Sequence, residues 1–134
     1  MQKALLDAGP LIALFDNSDK HSLRVQDFFK TYKGSFYTTW PVITETMHFL
    51  NFNAEVQSDF LKWLQRDPLR ISTQDKKSLE KIRILILKYQ NVPMDFADAS
   101  LLLLSEEENI NHILTLDSDY IVYRSKKKKF KYLL

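Results

Sequence analysis

The feature that most constrains this chain is that its apolar segments repeatedly end in, or enclose, a carboxylate. The run Ala4-Leu5-Leu6 stops at Asp7, and Ile113-Leu114-Thr115-Leu116 stops at Asp117. The greasy stretch Met94–Leu104 opens with Asp95 and Asp98, and Glu45 lies inside the helix-like stretch Pro41–Phe52. Apolar runs are what a domain buries, and a carboxylate beside a buried element is costly to desolvate unless something positive neutralises it. Acids at the ends of several different elements can instead converge on one point, which is what a hard divalent cation such as Mg²⁺ or Mn²⁺ requires.

The order of elements gives the fold class. Lys3–Leu6 reads as a short buried strand, followed by a turn at Ala8-Gly9-Pro10 and a brief helical turn through Leu11–Phe15. Ser22–Lys33 has near-helical apolar spacing at Leu23, Val25, Phe28, Phe29 and Tyr32, with Gly34 as a stop. Ser35–Thr39 is β-branched and aromatic and reads as a strand. Pro41 suits the first turn of the next helix, where its missing N–H costs nothing. In that helix Val42, Glu45, Phe49 and Phe52 fall on one line, which directs Glu45 toward an apolar face. Ala54–Gln65 is a further amphipathic helix, Leu69–Ser72 a strand, and Lys76–Tyr89 a helix with Leu79, Ile82, Leu85 and Ile86 inward. Met94–Glu107 is apolar nearly all round and predicts a central, buried helix. His112–Leu116 is another strand, and Tyr120–Tyr123 with Phe130–Leu134 supplies a last edge strand or tail. Alternating strands and helices imply an α/β domain with a mainly parallel sheet. At 134 residues, without repeats or linkers, one domain spanning residues 1–134 is expected.

Composition removes several chemistries. With no cysteine, disulfides, zinc–thiolate sites, Fe–S clusters and thiol nucleophiles are excluded. The chain has two glycines, Gly9 and Gly34, and neither lies in a phosphate-cradling loop. His21, His48 and His112 lack metal-ligand spacing, and Trp40 and Trp63 read as packing residues. The start Met1-Gln2-Lys3 does not resemble a signal peptide. No apolar run approaches the roughly 20 residues that a membrane span needs, so a soluble, cytoplasmic protein with no membrane partner is expected. Lysines gather at Lys126–Lys129 and Lys131. They fit either a basic rim that holds a polyanion around an acidic centre or a solvated tail.

Each carboxylate has a plainer reading beside the functional one. Asp7 follows a strand, where ligands gather in open α/β sheets, yet it could simply form an Asx-turn. Glu45 could pair with a buried Arg or Lys. Asp95, after Val92-Pro93-Met94, is well placed as a helix N-cap. Asp98 then sits in the first turn on a line with Leu101 and Leu102, and so ranks ahead of Asp95 as a ligand. One of Asp117 and Asp119 is expected to reach the site; the strand-end position favours Asp117 and leaves Asp119 as a loop cap. Thr115 could hold a carboxylate through its hydroxyl, although a strand threonine is commonly only a β-former.

Together these motifs resemble a known family. Leu5-Leu6-Asp7-Ala8-Gly9-Pro10-Leu11-Ile12-Ala13-Leu14 resembles the opening motif of PIN-domain nucleases, and Glu45 in Val42-Ile43-Thr44-Glu45 looks like their helix-borne glutamate. Pro93-Met94-Asp95-Phe96-Ala97-Asp98-Ala99-Ser100 is similar to their third acidic motif, in which the Asp before Ala is the principal ligand. Ile113-Leu114-Thr115-Leu116-Asp117-Ser118-Asp119-Tyr120 looks like the fourth, which usually ends in Phe where this chain has Tyr120. The resemblance implies a three-layer α/β/α fold around a mainly parallel sheet, with Mg²⁺ or Mn²⁺ held by Asp7, Glu45, Asp98 and Asp117. It further implies hydrolysis of RNA, frequent homodimerisation and, as in VapC-type toxins, inhibition by a small antitoxin protein. The alternative is a catalytically silent PIN-like module that only binds RNA or protein. A receiver-like signalling domain fits poorly, because Asp7 stands alone after Leu6 and no lysine ends the 113–116 strand. A nuclease for structured DNA would need insertions for which this chain has no room.

Overall fold

In the computed structural model, which describes residues 1–134, five strands form one parallel sheet in the order β3-β2-β1-β4-β7. Its strands are β1 (Lys3–Leu6), β2 (Ser35–Thr39), β3 (Leu69–Ser72), β4 (His112–Leu114) and the edge strand β7 (Lys131–Tyr132). Between β4 and β7, β5 (Arg124–Ser125) and β6 (Lys128–Lys129) make a separate antiparallel hairpin. The connections are α1 (Ala8–Phe15), α2 (Ser22–Thr31), α3 (Trp40–Phe49), α4 (Ala54–Gln65), α5 (Leu79–Lys88) and α6 (Phe96–Glu108). The chain steps outward from β1 to β3, then returns through α5 and α6 to place β4 on the other side of β1. Right-handed crossovers put helices made on the outward steps on one face and those of the return on the other. The contacts agree: Phe15 of α1 meets Phe60 and Trp63 of α4, Phe29 of α2 meets Trp63, and α5 packs on α6 across the sheet. The fold is therefore a three-layer α/β/α arrangement, and its strand order reverses between β1 and β4.

Helix α6 is the core of one layer. Leu101, Leu102, Leu103 and Leu104 are all buried, as its all-round apolar character predicts. Its two buried serines are satisfied locally: Ser100 Oγ donates to the Ala97 carbonyl at 2.7 Å, and Ser105 Oγ to the Leu102 carbonyl at 2.7 Å. Ser100 also shares a 2.7 Å hydrogen bond with Thr39, which fixes the start of α6 against the end of β2. Polar pairs of this kind are tolerated in a core because neither partner is left unbonded.

Several local expectations change. The Ala8-Gly9-Pro10 turn is already helical, since Asp7 caps α1 and Pro10 falls in the first turn, where an N–H has no acceptor. Helix α2 ends at Thr31 rather than Lys33. Gly34 is needed for space and not as a helix stop, because a Cβ there would lie 2.5 Å from the Gln2 carbonyl oxygen. In α3 the buried line is Val42, Ile43, Thr46 and Leu50, whereas Phe49 and Phe52 are exposed. Glu45 thus sits at the margin of the buried stripe instead of at its centre. The stretch 76–89 divides into a 3-10 turn, Lys76–Ser78, and α5, where Ile82 and Leu85 are buried but Leu79 and Ile86 are not. Residues Ser118–Ile121 form a second 3-10 turn in place of a strand.

Candidate metal centre

Asp7 and Asp117 lie just beyond the carboxyl ends of β1 and β4, the neighbouring strands where the sheet order reverses. Such switch points are where open α/β sheets leave a crevice for ligands. Asp7 is buried, with two donors aimed at it: the Ala8 N–H at 2.8 Å on Oδ1 and Thr115 Oγ1 at 2.7 Å on Oδ2. Thr115 also accepts from the Asp117 N–H at 3.0 Å, so one hydroxyl ties both strand-end acids together. Asp117 in turn accepts from the Asp119 N–H at 2.9 Å, an Asx-type turn that holds its carboxylate.

The third acid comes from α6. Asp95 is its N-cap, accepting from the Asp98 N–H at 2.8 Å, while Asp98 reaches back to the Asp95 N–H at 3.4 Å. This reciprocal pair is a capping box, and it fixes the Asp98 rotamer. The remaining oxygen of Asp98 receives the hydroxyl of buried Tyr120 at 3.4 Å. One carboxylate oxygen from each of Asp7, Asp98 and Asp117 lies within 4.8 Å of the others. Glu45 and Asp95 line the same cavity, of about 270 Å³, whereas Asp119 stays outside it as the partner of Asp117.

No cation of the chain enters this cluster. The two ion pairs in the molecule, Lys30–Asp27 and Arg83–Glu80, are elsewhere on the surface. Burial, then the charges of Asp95 and Asp7, pushes Asp98 up to about 8. Burial, with Asp95, Asp7 and Asp117 behind it, pushes Glu45 up to about 7. Burial also raises Asp7, against the hydrogen bonds from Thr115 and Ala8. Carboxyls held this far above their ordinary range mark an environment that opposes negative charge and would welcome a positive one.

The donor set suits a hard divalent ion. Mg²⁺ binds oxygen at about 2.1 Å, so two of its ligands can stand up to roughly 4.2 Å apart. A spread within 4.8 Å is met by a small rotamer shift, or by a water completing the shell. All-oxygen ligation without histidine or thiolate favours Mg²⁺ or Mn²⁺ over zinc.

The basic segment is remote from this pocket. Lys126–Lys129 are exposed on the β5–β6 hairpin, which is held by a 2.9 Å hydrogen bond between the Ser125 and Ser105 hydroxyls and by Asn111 before β4. Ser105 lies about 10 Å further along α6 than Asp98, so the lysines gather toward the opposite end of the sheet and do not rim the acids.

Two aromatic residues near the site are exposed where the residue pattern predicts packing. Trp40, expected to pack inward, is 56% exposed at the start of α3, and Phe96 is 47% exposed at the start of α6. A helical wheel carries the warning for Trp40, whose i+4 neighbour Thr44 is exposed while the buried stripe runs through Val42 and Thr46. The Tyr120 hydroxyl was visible only as a departure from the usual Phe; its contact with Asp98 depends on the 3-10 turn.

Known folds share this architecture. The chain aligns with the crystal structure of Mycobacterium tuberculosis VapC20, a sarcin-ricin loop cleaving toxin, at a TM-score of 0.79 and 15% identity, covering 87% of this chain and 91% of that one. It also aligns with PAE2754 from Pyrobaculum aerophilum at a TM-score of 0.63 and 18% identity, covering 98% and 90% of the two chains. No curated protein sequence matches the chain. Residues 4–126 match the PIN domain family, which takes in all four acidic motifs, and the chain belongs to that family.

Proposed function

We propose that the protein is a divalent-metal-dependent endoribonuclease that hydrolyses RNA phosphodiester bonds, acting as the toxin of a type II toxin–antitoxin pair. The observation that carries this reading is the convergence of Asp7, Asp98 and Asp117, with Glu45 on the same wall, and the lack of any lysine or arginine to neutralise them. Bound there, Mg²⁺ or Mn²⁺ would supply Lewis acidity and charge neutralisation toward a phosphodiester.

The chain's own groups set the geometry. Asp7 is fixed by Thr115 and the Ala8 N–H, and Asp98 by its capping box and Tyr120, so two of the carboxylates are held in place, one from a strand end and one from a helix start, before anything binds. Such positioning lowers the reorganisation needed in the reaction. Asp117 closes the third side, and Glu45, at the mouth, has oxygens free to orient a water or hold a second ion. Membership of the PIN family and the VapC20 fold support the toxin assignment. With it come a small protein antitoxin, a homodimer and a cytoplasmic setting as further parts of the reading. Because VapC20 cleaves the sarcin-ricin loop, ribosomal RNA is the first substrate class to try.

The test is cleavage of a mixed rRNA and tRNA pool by purified protein with Mn²⁺ or EDTA, beside Asp98→Asn. Products that need Mn²⁺ and vanish in the variant are expected. Folded, inhibitor-free protein that cuts nothing in either condition would leave only a silent binding module.

A further inference from the structure

Beside the carboxylate pocket lies a second, more open cleft of about 680 Å³, and the two share Glu45 and Asp95 as a common wall. Its flanks are Trp40 and Phe96, the first residues of α3 and α6, with Thr44 and His48 completing the polar side. The volume is that of a small-ligand site. Half-exposed aromatics on either side of one cleft are not explained by the core, since the inward faces of both helices are formed by other residues. Paired exposed apolar surface of this kind marks a binding site.

The lining selects the occupant. No lysine or arginine borders the cleft, so it does not take a phosphate itself. It offers flat apolar faces from Trp40 and Phe96, and hydrogen-bond acceptors from Glu45, Asp95 and Thr44. A flat group with an apolar face and N–H donors on its edge meets both demands, and a nucleobase is such a group. An apolar protein face laid here would have to desolvate two carboxylates without neutralising them. The base of a nucleotide whose phosphate sits at the carboxylate pocket must also fall close to it, and this cleft adjoins that pocket directly.

We infer that the Trp40–Phe96 cleft is a base-stacking subsite that holds the nucleobase next to the scissile phosphate. The inference rests on the phosphodiester reading of the neighbouring pocket. Base–aromatic stacking is sequence-tolerant and contributes between roughly fivefold and a hundredfold in affinity for each base.

The experiment compares adenosine 5′-monophosphate with ribose 5-phosphate, both in Mn²⁺, on wild type, Trp40→Ala, Trp40→Phe and Phe96→Ala. Binding is followed by tryptophan fluorescence, and by calorimetry where Trp40 is absent. Wild type and Trp40→Phe should prefer the nucleotide over the base-free sugar phosphate by at least fivefold, with Trp40 emission quenched in wild type. Trp40→Ala should lose that preference while binding ribose 5-phosphate as before, and Phe96→Ala should weaken it. An unaltered thermal midpoint in Trp40→Ala separates this from misfolding; were that variant unfolded, Phe96→Ala and the quenching decide. No preference in wild type, or a full preference in Trp40→Ala, overturns the subsite. If Trp40→Ala keeps the preference but dissociates a dimer in sedimentation, the cleft is an interface between copies and the inference is wrong. RNA cleavage is scored separately: a chain that stacks the base through Trp40 yet cuts no RNA retains the subsite and loses the nuclease.

Discussion

At the carboxyl ends of β1 and β4 the chain gathers Asp7, Asp98 and Asp117 within reach of one ion, while toward the other end of β4 it strings Lys126 to Lys129 along an exposed hairpin. Both regions crowd like charges, but their energetics differ. The lysines project into water, whose high dielectric constant weakens their repulsion at short range and whose salt screens it beyond about a Debye length. The carboxylates are buried or half-buried, and burial first, with their mutual repulsion behind it, raises the proton affinities of Asp98 and Glu45. Like charge at a surface is tolerated as it stands. Like charge in a crevice, held by hydrogen bonds that fix its geometry, calls for a counter-ion.

The largest expected effect comes from giving the acidic end a cation of its own. Glu45→Lys would set an ammonium against Asp7, Asp98 and Asp117. RNA cleavage should fall by more than about 100-fold, since even disturbing a partner behind a metal ligand costs that order. The metal-free thermal midpoint should rise, and Mn²⁺ should no longer raise it further. A midpoint below that of wild type would show that the carboxylates do not repel one another as argued.

Next is the hydroxyl that ties two of the acids together. Thr115→Val keeps the shape and removes the donor to Asp7 Oδ2. Mn²⁺ affinity should weaken by about tenfold to a hundredfold, the range for lost partners of metal ligands. Equal affinity in calorimetric titration would reduce Thr115 to a filler of space.

The pH dependence of the metal-free chain is a smaller effect. Asp98 is raised to about 8 and Glu45 to about 7, above the unfolded values near 4. Between these limits the native state holds protons that the unfolded chain has released. Metal-free stability should therefore be greatest below about pH 4 to 5 as far as these two groups contribute, and fall as pH rises toward about 8. Thermal melts in chelator across that range, repeated in millimolar Mn²⁺, test the sign, and the metal should flatten the decline. A metal-free midpoint that climbs over the same interval would contradict the assignment.

The fold was largely legible because its signals are local. Short apolar runs ended at Leu6, Leu116 and Leu104, and the all-round apolar α6 had only one place to go. Asp7, Asp98 and Asp117 were legible for the same reason, since each sits at a boundary that sequence marks. What sequence could not supply is rotation about helix axes: Glu45 sits at the edge of its stripe, and Trp40 faces outward, because tertiary contacts decide which part of a broad apolar face is buried. The β5–β6 hairpin was also hidden. Its two-residue turn places Lys126 at φ 48° and Lys127 at φ 71°, where glycine or asparagine would have announced it.

That turn gives the smallest expected effect and a control for the contrast between the two ends. Lys126→Asn with Lys127→Gly supplies the residues that a type I′ turn favours, and should stabilise the protein by about 0.5–1 kcal/mol. Mn²⁺ affinity should not change. A shift in metal affinity from this end of the sheet would show that the two regions are coupled.

The most direct test of the central claim is calorimetric titration of metal-free wild type and Asp98→Asn with Mn²⁺. The account predicts saturable binding by wild type, more than tenfold weaker binding by Asp98→Asn, and a higher metal-free thermal midpoint in the variant because a carboxyl whose ionisation the site opposes is gone. Absent binding by wild type, or equal binding by both proteins, would contradict a metal centre at Asp7, Asp98 and Asp117.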